Sequence, residues 1–293
     1  MATADFVTSL APVLPRVSTG GALVINGATD GPRLAGEMLF VNAKGEKISF
    51  DTALPFTFDT NAIISEKALA LLGPNVNIVG AVALKNVEWE KVFKSLGSSS
   101  AVSFKDKATI AMIRPFLEQT DGTLAVGVGT TLMPGQSLTS LAFDPSALVV
   151  SVVVEMKKDE PSKLLQRLKG FASMVGLTAS DTAEGFSVTL PDEGITVNAR
   201  ATETALLIST MEINAGGNVS PTMSAINFGG YIAAFGAVID ADSPLQQMFD
   251  KGPRQDLTFT LGADMPSSTV SFEIVCGKEG DWVKNMKPYF NQK

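Results

Sequence analysis

The chain has 293 residues, 23 Lys and Arg against 30 Asp and Glu, a net charge of −7, one Cys and no His. With 45% apolar and 18% charged residues it can bury a sizeable core and is not a disordered chain. The absence of His excludes a Ser-His-Asp triad, a Cys-His pair, a His-ligated zinc and a His general base. The acidic balance also argues against a nucleic-acid partner, because phosphate binding draws on clustered Lys and Arg.

Along the chain, residues 1–6 have no Lys or Arg nearby before Arg16 and no apolar core follows them, so the start does not read as an intact signal peptide. Residues 37–41 and 46–50 read as a hairpin turned at Asn42-Ala43-Lys44-Gly45. A strand over 48–58 leads into a helix over 62–72 that stops at Gly73-Pro74. Residues 79–84 read as a strand, Lys85-Asn86 as a break, and 87–96 as a helix. The apolar face of that helix is Trp89, Val92, Phe93 and Leu96, with Asn86 as its N-cap.

The unit then recurs. Residues 149–154, nearly all β-branched, form a buried strand. Asp159 and Pro161 then open a helix carrying Leu164, Leu165, Leu168, Phe171 and Ala172, and Gly176 stops it. Lys91–Leu96 aligns without a gap on Lys163–Leu168, and Val275–Trp282 matches Val82–Trp89 at Val, Lys, acid and Trp. Residues 186–190, 195–199 and 204–209 form a meander. Residues 233–239 lead through Asp240–Pro244 into a short helix with Leu245, Met248 and Phe249, and 257–261 pairs with 270–274. The longest apolar stretch, 225–239, falls short of the ~20 residues of a membrane span.

These elements predict an α+β fold: antiparallel sheets with amphipathic helices packed on one face, internally duplicated. A boundary in Leu132–Ser137 divides the chain into modules 1–135 and 136–293; the alternative is one continuous pseudo-symmetric domain.

No set of residues converges on a catalytic, cofactor or metal site. Cys276 ends an alternating strand and reads as a small core residue rather than a nucleophile, and a lone Cys requires no oxidising compartment. Asp240-Ala241-Asp242-Ser243 reads as a helix cap before Pro244, not as a cation loop. The pairs Gly20-Gly21, Gly127/Gly129, Gly216-Gly217 and Gly229-Gly230 lack phosphate-loop endings and read as turn glycines, like Asp30-Gly31 and Asp121-Gly122. Asn218-Val219-Ser220 is a formal glycosylation triplet. Ser162 and Lys163 are adjacent on a helix and do not face each other as a dyad. Lys157-Lys158 is cancelled by Asp159-Glu160, while Lys284, Lys287 and Lys293 make the last turn mildly basic. The 17 Phe and 11 Met against two Tyr and two Trp point to core filling, and leave room for an apolar partner surface.

The strand, Lys-Asn or Lys-Asp break, amphipathic helix and meander of Val149–Leu168 and Gly80–Leu96 resemble a group of uncharacterised bacterial extracytoplasmic proteins built from repeated strand-helix-strand modules. The resemblance implies a periplasmic or cell-surface protein without known enzymatic activity. The first functional expectation is therefore a non-catalytic binding or scaffolding protein with a protein or apolar small-molecule partner. The alternatives are a cytoplasmic ring- or clamp-like oligomer and a His-free hydrolase using carboxylates or Ser/Lys.

Overall fold

The structure, a computed structural model, describes residues 22–50, 59, 61–98, 114–139, 144–191, 194–212, 220–248 and 254–290. Its strands are β1 (Ala22–Asp30), β2 (Arg33–Val41), β3 (Val76–Ala83), β4 (Thr120–Thr130), β5 (Leu148–Met156), β6 (Ala179–Thr182), β7 (Gly185–Leu190), β8 (Ile195–Ala201), β9 (Ala205–Ser209), β10 (Ala233–Ile239), β11 (Leu257–Asp264) and β12 (Thr269–Cys276). The helices are α1 (Glu66–Ala70), α2 (Trp89–Ser98), α3 (Glu160–Met174), α4 (Pro221–Ala225) and α5 (Trp282–Phe290).

All twelve strands form one sheet in the order β1-β2-β12-β11-β10-β3-β4-β5-β9-β8-β7-β6, and every neighbouring pair is antiparallel. This corrects the expected α+β class of helix-packed, duplicated sheets: the fold is mostly one antiparallel sheet with a few short helices. The predicted 62–72 helix shrinks to five residues because Ser65 caps it by accepting from Ala68 N and the chain turns out at Gly73, φ 83°. The helices also do not share one face. α1 and the segment after α4 cover the middle of one face, called here the front, where Leu69, Ile226 and Phe228 meet Val79, Ala125 and Val153. α3 covers the other, back face over β6–β9, where Leu164, Leu165 and Ala172 meet Phe186, Ala199 and Leu206.

Two long strands fall where other structure is expected. β1 has no predicted counterpart; it pairs with β2 through a two-residue turn at Gly31-Pro32, so Asp30-Gly31 is a turn as expected. The predicted 37–50 hairpin is reduced to a bridge between Val41 and Lys47. Gly122, Gly127 and Gly129 lie inside β4 rather than in turns. A Cβ on Gly127 would stand 2.7 Å from Val76 Cγ1 and one on Gly129 only 1.8 Å from Asn75 O, so close approach by the neighbouring chain requires glycine there. Gly122 falls where the β4–β5 register shifts, in a bulge. Gly230, with φ 87°, is a turn glycine. Residues 20–21 and 216–217, residues 218 and 219 of the 218–220 triplet and the N-terminal residues 1–6 lie outside the described residues, as do 51–58 of the predicted strand.

The strand-break-helix junctions are built alike. Asn86 and Asp159 both take left-handed conformations, φ 56° and 66°, and Gly277 and Gly280 do so after β12. Asn86 is therefore the break and not the N-cap, since α2 starts at Trp89. α3 starts as predicted, with Asp159 at the cap position and Pro161 in the first turn, and ends before Gly176, φ 84°. The loop holding Leu132–Ser137 joins β4 to β5, which pair directly, and β10–β12 stand between β2 and β3 in the sheet. No helix of the described residues is long and apolar enough to cross a membrane.

Candidate functional site

The register gives the two faces of the sheet opposite chemistry. One unbroken row of directly facing residues crosses the back: Gly27, Gly36, Phe272, Leu261, Phe235, Gly80, Val126, Val152, Ile208, Ala199 and Phe186. Beside it runs a second row that includes Ile25, Met38, Val270, Ala263, Ala233, Val82 and Leu124. No ionisable side chain stands on either row from β1 to β4. The adjacent front row reads Asn26, Glu37, Ser271, Gly262, Ala234, Ala81 and Ala125, polar at the β1 end and small where the segment after α4 packs. Gly236 and Gly262 make that packing possible, because a Cβ there would meet Ile226 Cδ1 at 2.6 Å and the Tyr231 ring at 2.5 Å.

An antiparallel sheet with one polar and one apolar face is expected to cover the apolar one. Here α3 does so only over β6–β9. Among the described residues, part of the back from β1 to β4 is left exposed: Ile25 is 51% exposed, Phe235 40% and Val126 40%, while Leu23 and Cys276 on the same face are buried. Phe235 meets Phe259 edge to face with ring centroids 5.9 Å apart, which holds both rings upright on the sheet. Phe272 leans over Gly27, its Cζ 3.1 Å from where a Cβ would be. Seven strands spaced ~4.8 Å apart give the open face a width of about 29 Å. Two side-chain repeats along each strand give roughly 400 Å² of uncharged surface, twisted with the sheet and within the size range of functional patches.

The front carries grooves of a different kind. One of ≈ 510 Å³ lies over β2, β12 and β11 and is lined by Arg33, Glu37, Asn227, Thr258, Thr260 and Glu273, among others. Arg33 donates from Nε and Nη2 to the two Glu273 carboxylate oxygens at 2.8 and 3.0 Å, so the two charges satisfy each other and tie β2 to β12. A second groove, ≈ 580 Å³, is lined by Glu184, Asn198, Arg200 and Glu212 with their neighbours on β7 and β8, and Arg200 is ion-paired to Glu184. The two arginines of these grooves are thus each engaged by a carboxylate, Arg33 by Glu273 and Arg200 by Glu184.

The residues singled out from the sequence are not brought together. Cys276 is fully buried, accepts a hydrogen bond from Gln255 Nε2 at 2.8 Å, and has its thiol pKa pushed up by burial, an inert core residue as read. In the 240–243 segment Ser243 Oγ accepts from Leu245 N at 3.2 Å at the head of a 3-10 turn (Pro244–Met248), which is the capping role expected. The acid that matters there is one the sequence did not mark. Asp256 accepts from Ala241 N at 2.8 Å and pairs with Lys278 at 3.2 Å, contacts that hold its pKa below the ordinary value. Lys163 pairs with Glu160 rather than with a serine, and Lys158 with Glu203. Among the described residues no group of three or more His, Cys, Asp or Glu could hold a metal ion.

No family model matches the chain, and neither the characterised proteins nor the solved structures compared with it provide a match.

Proposed function

We propose that this chain is a non-catalytic docking protein of an extracytoplasmic surface, and that the open back face between β1 and β4 receives an apolar surface of a partner protein. The observation that carries the reading is the uncharged row through Phe272, Leu261, Phe235 and Val126, in which Phe235 and Val126 are each 40% exposed at the middle of their strands. Small ligands favour concave sites that enclose most of their surface. A face about 29 Å wide across seven strands instead matches the extended contact of a macromolecule. Burying the exposed parts of Phe235, Val126 and Ile25 supplies a compact apolar centre of the type that dominates protein interfaces. The extracytoplasmic placement rests on the resemblance of Val149–Leu168 and Gly80–Leu96.

The test is a photo-reactive phenylalanine analogue placed singly at 235 and at 126, with a control at Thr258 on the front face, irradiated in cells that make the protein naturally. A discrete adduct of one defined mass at 235 and 126, absent at 258, is the expected result. Equal adducts at all three positions, or none at 235 and 126, contradicts the reading. Fractionation of the same cells checks the placement, and recovery with the cytoplasmic fraction contradicts it.

A further inference from the structure

The two edges of the sheet are not alike. β6 is four residues long and carries Asp181, ion-paired to Lys169 of α3, the short and charged kind of edge that resists pairing. β1 is nine residues long, has no Lys, Arg or Pro, and holds its one charge, Asp30, at its last position. Six consecutive residues of it, 25–30, are exposed. We propose that β1 pairs with β1 of a second copy, antiparallel and about a two-fold axis at Asn26, so that two sheets become one.

The direction of the free main-chain groups follows from the hairpin. The two-residue turn makes Asp30–Arg33 the closing hydrogen-bonded pair, so Ala28, Asn26 and Val24 also face β2 with their main-chain groups. Thr29, Gly27, Ile25 and Leu23 then turn theirs outward. Full overlap about Asn26 sets Ile25 against Gly27 and Leu23 against Thr29 of the other copy. Only outward-facing residues meet as hydrogen-bonded pairs, giving about eight bonds.

The side chains fit the same register. On the back, Ile25 faces the other copy's Gly27 and the Phe272 ring that leans over it, an apolar contact, and the two apolar faces run together. On the front, Asn26 meets its own symmetry mate as a close, non-hydrogen-bonded pair, where two carboxamides bond to each other. Asp30 falls opposite Ala22, so no like charges meet. The contact is isologous and closes at two copies, leaving β6 outside. Ile25 is shared with the docking reading, but the two tests are separable, because the probes at 235 on β10 and 126 on β4 lie several strands away from the axis.

The test uses the purified full chain. Asn26→Cys places two thiols at a pair spacing that a disulfide accepts, and the native Cys276 is buried. Under mild oxidation we expect N26C to form a covalent dimer at least about tenfold faster than K284C, whose exposed thiol reports random collision. Ile25→Pro removes an outward N–H without touching the bonds to β2. By sedimentation the native chain is expected to form a concentration-dependent dimer and I25P to remain a monomer with an unchanged circular dichroism spectrum. N26C cross-linking no faster than K284C overturns the proposal, as does a dimer that survives in a folded I25P. If I25P does not fold, the cross-linking comparison alone decides.

Discussion

Cys276, Gly129 and Asp256 show how single residues fix the sheet. Cys276 is enclosed at the end of β12 with its thiol pKa raised by burial. A disulfide-exchange reagent is therefore expected to react with the native chain orders of magnitude more slowly than with the chain in denaturant; equal rates would show the site to be open. Gly129 lies against Asn75 O, where a Cβ would stand at 1.8 Å. Gly129→Ala is expected to cost about 1–3 kcal/mol in urea unfolding, the range of an overpacked core, whereas alanine at Gly135, with nothing within 4 Å of its Cβ, meets only the backbone strain of a positive φ. Asp256 has a lowered pKa through Ala241 N–H and Lys278. Its contribution is present in full above the ordinary carboxylate pKa and is lost as pH falls through the lowered one. Stability measured from about pH 7 to about pH 3 should therefore fall less steeply for Asp256→Asn than for the native chain.

Among the elements, α3 is the one whose sequence, position and partners agree most completely. Leu164, Leu165 and Ala172 recur at helical spacing and meet Phe186, Val188 and Leu206 on the back of the sheet. Leu165→Ala is expected to cost about 2–5 kcal/mol by differential unfolding, the range for a buried leucine, while Phe171→Ala, at a residue 58% exposed, should cost far less. The meander β7–β9 and the β11–β12 hairpin were equally legible, because their apolar residues alternate and their turns are local. β4 was not legible: its glycines are the residues a turn would use, and only the neighbours at Asn75 and Val76 reveal that they are there for closeness. β1 was missed because a Lys-Gly turn near residue 45 offered β2 a nearer partner, which the structure uses only as one bridge. The front grooves and the Arg33–Glu273 clamp join residues 240 positions apart, and no local pattern announces such a pair.

At the scale of the whole molecule, the sheet order decides what the side chains can do. Phe235, Phe259 and Phe272 each read in the sequence as core residues of separate strands. The register instead lines Phe235 and Phe272 up on one face with Val126; α3 covers the β6–β9 end of that face, and α5 packs at the Cys276 end of β12. Alternation within each strand was visible; the row across strands is a property of non-local pairing and was not. The account stands on that face being open. Carbene footprinting of the purified chain, read by peptide mass spectrometry, tests it most directly. The account predicts clear labelling at Phe235 and Val126, as at the exposed loop residue Met133, with Leu69 and Val153 unlabelled. Phe235 and Val126 as silent as Leu69 and Val153 would show the face to be covered and would contradict it.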